Sequence, residues 1–298
     1  MMLKQLKKID LKKTTVKSRI YLGFGLVIAL SIAIGGTAIF KSLDISGDFA
    51  RVEDTSNDAR IAADIDSSMA KTLLNTRAYI ADRNDKDLEA AKTFLQETKA
   101  GITRAQSEID NAESTDLIAQ MSAAIIEYEA GVDRVLELYA ERDQIVNQQL
   151  NVLAPDVTKL ITSINEEATN TGFAFEANLI GRANLFFMRA RIAVANYLIN
   201  GSKDEIVQAR KNLKEAQEQL TALQENLQQL NWFKVIKQIE PKIKAYGEAV
   251  DRLQAIVQER NEIRDSTISD RGAAISTWAS AISSSVATDQ QTISGDMK

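Results

Sequence analysis

The chain has no cysteine and no histidine, and only two prolines and 13 glycines in 298 residues. Without cysteine there is no disulfide and no thiol nucleophile. Without either residue there is no imidazole base and no His/Cys metal site. A glycine-rich phosphate loop of the recognised spacings is missing as well. Catalysis would have to rest on carboxylates, and no pair of them stands out, so the chain is expected to be no enzyme and to use no cofactor or metal. The shortage of helix breakers, beside abundant Ala, Leu, Glu, Gln and Lys, leaves little to build strands. An all-α protein follows.

Charge is also missing where it matters. Between Arg19 and Lys41 lie 21 uncharged residues, "IYLGFGLVIALSIAIGGTAIF", about enough at 1.5 Å per residue to cross a hydrocarbon core of about 30 Å. Residues 20–40 are therefore expected to form a transmembrane helix. Lys4, Lys7, Lys8, Lys12, Lys13, Lys17 and Arg19 precede it against the single acid Asp10, and that bias places tail 1–19 in the cytoplasm and residues 41–298 outside, in the periplasm of an inner-membrane protein. Gly36-Thr37-Ala38 offers the small-x-small site of a cleaved signal peptide, but the run is longer than a usual signal core. Setting aside the eight basic residues and one acid of positions 1–43 leaves 28 basic against 40 acidic, a net charge of −12. So acidic a domain is a poor nucleic-acid binder. No second apolar span lies between Lys41 and Lys298.

What is present is a repeat. "YEAGVDRVLELYAERDQI" (128–145) returns as "YGEAVDRLQAIVQERNEI" (246–263), an offset of 118. The same offset relates Leu88, Ala91, Leu95, Thr98, Ile102, Ala105, Ile109 and Ala112 to Ile206, Ala209, Leu213, Ala216, Leu220, Leu223, Leu227 and Leu230. Alternating spacings of three and four mark the seam of a helix packed in a bundle. Tyr79 and Tyr197 match too. A fixed register over three segments indicates internal duplication.

Six helices are expected after the anchor, over about 43–81, 87–111, 116–168, 173–199, 203–230 and 232–293. Ser114 or Thr115 is expected to cap the third, Pro155 to kink it, and Pro241 to be a first-turn residue of the sixth or a mild kink in it. The third and sixth would be about 80 to 90 Å long and the others about 40 to 60 Å. Two pillars of that length must serve two levels. The expected architecture is two stacked four-helix bundles sharing two long helices: a membrane-proximal module of about 43–143 plus 260–298, and a membrane-distal module of about 144–259.

The anchor, the duplicated hairpin-plus-pillar units and the segments "YIADRND", "YLINGS" and "AYGEAVDRL" resemble the helical bimodular sensor domain of bacterial chemoreceptors and sensor kinases. That resemblance implies recognition of small organic acids by Arg and Tyr inside each bundle, and signalling through a second transmembrane helix. It makes the expected function the periplasmic ligand-sensing domain of a membrane chemoreceptor, as a homodimer, in which a bound anion displaces one long helix against another. The competing function is a membrane-anchored helical adaptor that docks a partner protein.

Charged residues on apolar seams are the candidate site, because a buried charge needs a partner. Arg191 stands on the stripe Ile180, Asn184, Phe187, Arg191, Val194, Leu198, where a planar donor fork suits a carboxylate. Tyr246 faces the same interior, with Asp251 the nearest acid at that height. Arg264 and Arg77 are the candidates of the lower bundle. Arg142 and Arg260 also face inward but fall near the module junction, where Glu141, Glu259 or open carbonyls are expected to meet them. The family pattern of one Arg six residues before the module's Tyr and another two or three before it is kept in part. Arg191 holds the first position before Tyr197, with Val194 and Ala195 at the others. Before Tyr79 stand Leu73 and Thr76, with Arg77 kept. Each site lacks one Arg of the pattern that implies dicarboxylates, so a monocarboxylate, an amino acid or another ligand stays open.

Overall fold

The computed structural model describes residues 16–226 and 231–296. Among them there is helix and no strand: α1 (Val16–Asp82), α2 (Asp85–Glu108), α3 (Ala112–Ile145), α4 (Asn151–Asn170), α5 (Ala174–Asn200), α6 (Lys203–Asn226), α7 (Asn231–Glu262) and α8 (Ser269–Asp296). The expected count of six is corrected for two reasons. Each expected pillar is two α segments joined by a π turn, Val146–Leu150 between α3 and α4 and Ile263–Ile268 between α7 and α8. The apolar run, moreover, is no separate helix but continuous with the first, inside the 67-residue α1. The two π turns lie at the same repeat position. Pro155 follows the first by one turn within α4, whereas Ala273 holds the matched place after the second, so proline is not what the π geometry requires. Pro241 lies well past the first turn of α7.

Turn chemistry sets the breaks. Gly201, at φ 65°, ends α5 in the left-handed region with its N–H on the Tyr197 carbonyl at 2.8 Å. Its repeat equivalent is Arg83, at φ 55°, with its N–H on the Tyr79 carbonyl at 2.7 Å. The same cap is thus written once with glycine and once with arginine, which bears a steric cost that glycine avoids. Neither expected residue caps α3: Asn111 does, its Oδ1 accepting from the backbone N–H of Glu113 and Ser114 at 3.0 and 3.2 Å. The buried Ser114 hydroxyl has no partner among the described residues.

The described residues form two compact units. The first comprises the described parts of Met1–Met69, Phe94–Ala119 and Ser276–Lys298. Ile61, Ile65 and Met69 of α1 are buried there with Leu95, Ile102 and Ala105 of α2. Thr98 donates to Ser68 Oγ at 2.9 Å, and α2 comes so close to α1 that a Cβ on Gly101 would stand 2.8 Å from Ile65. The second unit comprises Ala70–Thr93 and Gln120–Ile275. In it α4 packs on α5 and α7, and α6 packs on α5 and α7, closing a four-helix bundle. Its core runs through Val157, Ile161, Ile180, Phe187, Ile206, Leu213, Leu220, Ile236, Ile243 and Leu253.

The duplicated seam is buried in both copies. Leu95 and Leu213 are 6% and 5% exposed, and Ala91 to Ile109 and Ile206 to Leu223 follow the expected rows, with Ala112 exposed beyond the end of the first. Leu227, Leu230 and tail residues 1–15 lie outside the described residues. So do the side chains of 21, 22 and 37–40 in the expected membrane span. Among the described residues no helix is long and apolar enough to cross a membrane; the described side chains of the run, at 20 and 23–36, fall short of the roughly 20 that a crossing needs.

Candidate ligand-binding site

In the second unit, α4, α5, α7 and the π turn Val146–Leu150 enclose a cavity of about 480 Å³. Its walls include Val146, Leu150, Ala154, Met188, Ile192 and Val194, and two of its polar groups are Arg191 and Tyr246. Arg191 comes to this wall because its stripe on α5 turns Phe187 and Val194, on either side of it, into the core. Tyr246 arrives from α7 packed edge-on against Phe187, ring centres 5.3 Å apart. The structure brings these two expected residues together. Asn184 does not line the cavity, because it stands about two turns along α5 from Arg191; its buried Oδ1 has no hydrogen-bond partner among the described residues.

The electrostatics of the pair are unusual. Arg191 is half-buried, and its one hydrogen bond among the described residues is a long contact of 3.4 Å from Nη1 to the Thr158 hydroxyl. No described carboxylate lies within ion-pair distance of it. Asp251, the acid expected nearest, is held instead by Arg210 at 2.7 Å. The Tyr246 hydroxyl donates to none of the described residues. Burial pushes its phenol up to about 12, opposed by the Arg191 charge, so at neutral pH it stays a donor. Two donors facing an open cavity, one of them cationic and neither well met, can hold an anionic oxygen group.

The other candidates are not assembled in this way. Arg77 is exposed, and its Nη2 donates to Ser269 Oγ at 3.5 Å. Arg264 makes a two-pronged pair with Asp265 at 2.7 and 2.9 Å, and the cavity it borders does not include Arg77. Arg142 and Arg260 do not pair with Glu141 and Glu259 as expected. Arg134 takes both acids, at 2.8 Å each, since it lies two helical turns from Glu141 on the same face. Arg142 and Arg260 instead border a separate polar cavity with Arg83 and Arg264. Arg83 was not legible as a site residue: it stands in a polar turn with no apolar pattern around it. The repeat offset, which sets it against a helix-ending glycine, was the available signal.

Comparison with protein families matches the helical bimodular sensor domain over residues 95–283, more than half of the chain. The chain belongs to the helical bimodular sensor domain family. The matched span of this sensor domain contains Arg191, Tyr246 and the whole four-helix bundle around them, and the family is one of sensing rather than catalytic domains. A search of curated proteins found no match.

Proposed function

We propose that this helical bimodular domain is the ligand-sensing part of a membrane chemoreceptor and that a small organic acid binds beside Arg191. The observation that carries the reading is the Arg191 guanidinium, set on a cavity wall with only Thr158 at 3.4 Å. The ligand carboxylate accepts from Arg191 and Tyr246, and the apolar walls take its short organic remainder. Leaving a half-buried cation unmet costs free energy that the ligand returns. Because Val146 and Leu150 of the π turn also line the cavity, binding acts on the pillar at its irregular point, and π turns are frequent at functional sites. A shift there displaces one long helix against another.

In this reading residues 1–19 are a cytoplasmic tail, 20–40 the membrane anchor, and 41–298 a periplasmic domain of two stacked modules, about 43–143 plus 260–298 and 144–259, that acts as a homodimer. Support for the anchor comes from Leu26, Val27 and Ile28, at 55–64% exposure. Consecutive positions point about 100° apart, so apolar surface extends around the helix, as lipid contact requires.

The test is thermal shift of the full chain in non-ionic detergent against a panel of small organic acids and amino acids, with Arg191→Ala alongside. A ligand at about 100 times its Kd stabilises by about 2.7 kcal/mol. The expected result is a shift with at least one acid and none with the variant. No shift with any acid, or an undiminished shift in the variant, overturns the assignment.

A further inference from the structure

The second polar cavity of the same unit, about 390 Å³, is lined by Arg83, Arg142, Arg260 and Arg264. We infer that it is a separate anion site, for inorganic phosphate or a small phosphate-bearing molecule. Four guanidinium groups converge on one space from both copies of the repeat, Arg142 and Arg260 being equivalents 118 residues apart. Two of the four are neutralised. Arg83 grips Asp143 through both nitrogens, at 3.1 and 2.6 Å, and Arg264 grips Asp265.

The other two are not. Arg142 has only the already shared Asp143, at 3.3 Å. Arg260 has no described carboxylate within ion-pair distance: it donates to Asn261 Oδ1 at 2.9 and 3.3 Å and lies 5.5 Å from the centre of the Tyr139 ring. The repeat explains this difference, since Asn261 stands where the first copy has Asp143. Glu141 and Glu259 do not line the cavity and are held by Arg134. Neither Arg142 nor Arg260 donates to a backbone carbonyl among the described residues, so capping the adjoining helix ends does not account for them.

Two uncompensated positive charges call for two negative ones. A phosphate dianion has that charge in compact form, with oxygens enough to accept from both forks at once. Burial, with the like charges of Arg83 and Arg260, pushes the Arg142 guanidinium below its ordinary range, in keeping with a cation that lacks its anion.

The test is calorimetric titration of the full chain in non-ionic detergent, in buffer free of phosphate and sulfate and at constant ionic strength, with inorganic phosphate, glycerol phosphate and succinate. At least one of the two phosphates is expected to bind. Arg142→Gln and Arg260→Gln should each weaken it by about 30-fold or more, Arg260→Lys by less, and Lys244→Gln, on an exposed face, not at all. Binding of the free ion alone identifies phosphate itself; binding of glycerol phosphate alone identifies a phosphate-bearing molecule. The melting temperature without ligand should stay level or rise in Arg142→Gln, because a like charge is removed. The site is overturned by silence with both phosphates, by binding of succinate alone, by unchanged affinity in both Gln variants, or by a lower unliganded melting temperature in both.

Discussion

Tyr128 and Tyr246 occupy the same place in the two copies of the repeat, and both phenols are pushed up to about 12 by burial. Around them the copies part. Tyr128 donates to the Thr76 hydroxyl at 2.8 Å, whereas the position matching Thr76 is Val194, which has no acceptor to offer. Leu73 matches Arg191, and Gly272 matches Ala154. Leu73 of the first copy presses onto Gly272 of the second so tightly that a Cβ there would stand 2.5 Å from it. Arg191 of the second copy and Ala154 of the first border an open cavity. The surroundings of Leu73 are a satisfied core and those of Arg191 a pocket, on one helical frame. Duplication supplies the frame, and a few substitutions decide whether it packs or binds.

The largest expected effect tests the shared frame itself. Truncating Leu95 or Leu213 to Ala removes an equally buried seam residue in either copy, and each should cost about 2 to 5 kcal/mol in chemical denaturation. A loss below 1 kcal/mol for one of them would mean that the two seams are not equivalent. Next comes the packed side of the comparison. Gly272→Ala drives a methyl into Leu73 and should destabilise by about 1 to 3 kcal/mol, while Ala154→Gly, its counterpart at the open cavity, should cost only about 1 kcal/mol through helix propensity. Equal costs would show that Leu73 yields freely and that its surroundings are no tighter than those of Arg191.

The two tyrosines sharpen the comparison at smaller scale. Tyr128→Phe strands the buried Thr76 hydroxyl and should cost about 1 kcal/mol or somewhat more. Tyr246→Phe removes a hydroxyl with no partner among the described residues and should leave the unliganded melting temperature nearly unchanged while weakening acid binding. A loss of stability for Tyr246→Phe as large as for Tyr128→Phe would mean that its hydroxyl is engaged within the fold and not waiting for a ligand.

How far such detail was legible depended on what the sequence pattern constrains. Apolar seams of alternating three and four determine which helix face is buried, so the rows from Ala91 to Ile109 and Ile206 to Leu223 and the meeting of Arg191 with Tyr246 could be read beforehand. The π turns could not, because widening one turn changes the hydrogen-bond ladder without changing which residue types face inward. The seams did place Arg142 and Arg260 together beside the turns "DRND" and "NGSK", but not their sharing of a cavity with the side chains of Arg83 and Arg264. A guanidinium on a long, flexible stem turns toward whatever acid its neighbours leave available, and Arg134 had already taken Glu141 and Glu259.

The smallest effect concerns the turn where the copies differ in charge. Arg83 and Asp143 pair in the first copy, where the second has Gly201 and Asn261. The Arg83 hydrogen bonds hold the Asp143 carboxyl below its usual range. A carboxyl depressed by folding stabilises the protein above its unfolded value, about 3.9, and that stability is lost as pH falls through the lower folded value. Both side chains are more than a third exposed, so solvent screening keeps the contribution below about 1 kcal/mol. Melting curves of the native chain and of Asp143→Asn should therefore differ by a small, constant amount above about pH 5. The difference should shrink toward zero as pH falls below about 4, since a protonated Asp143 resembles the asparagine of the second copy. A difference that stays constant through the acid range would place the effect of Asp143 in its shape rather than its charge, and would remove charge from the contrast between the two turns.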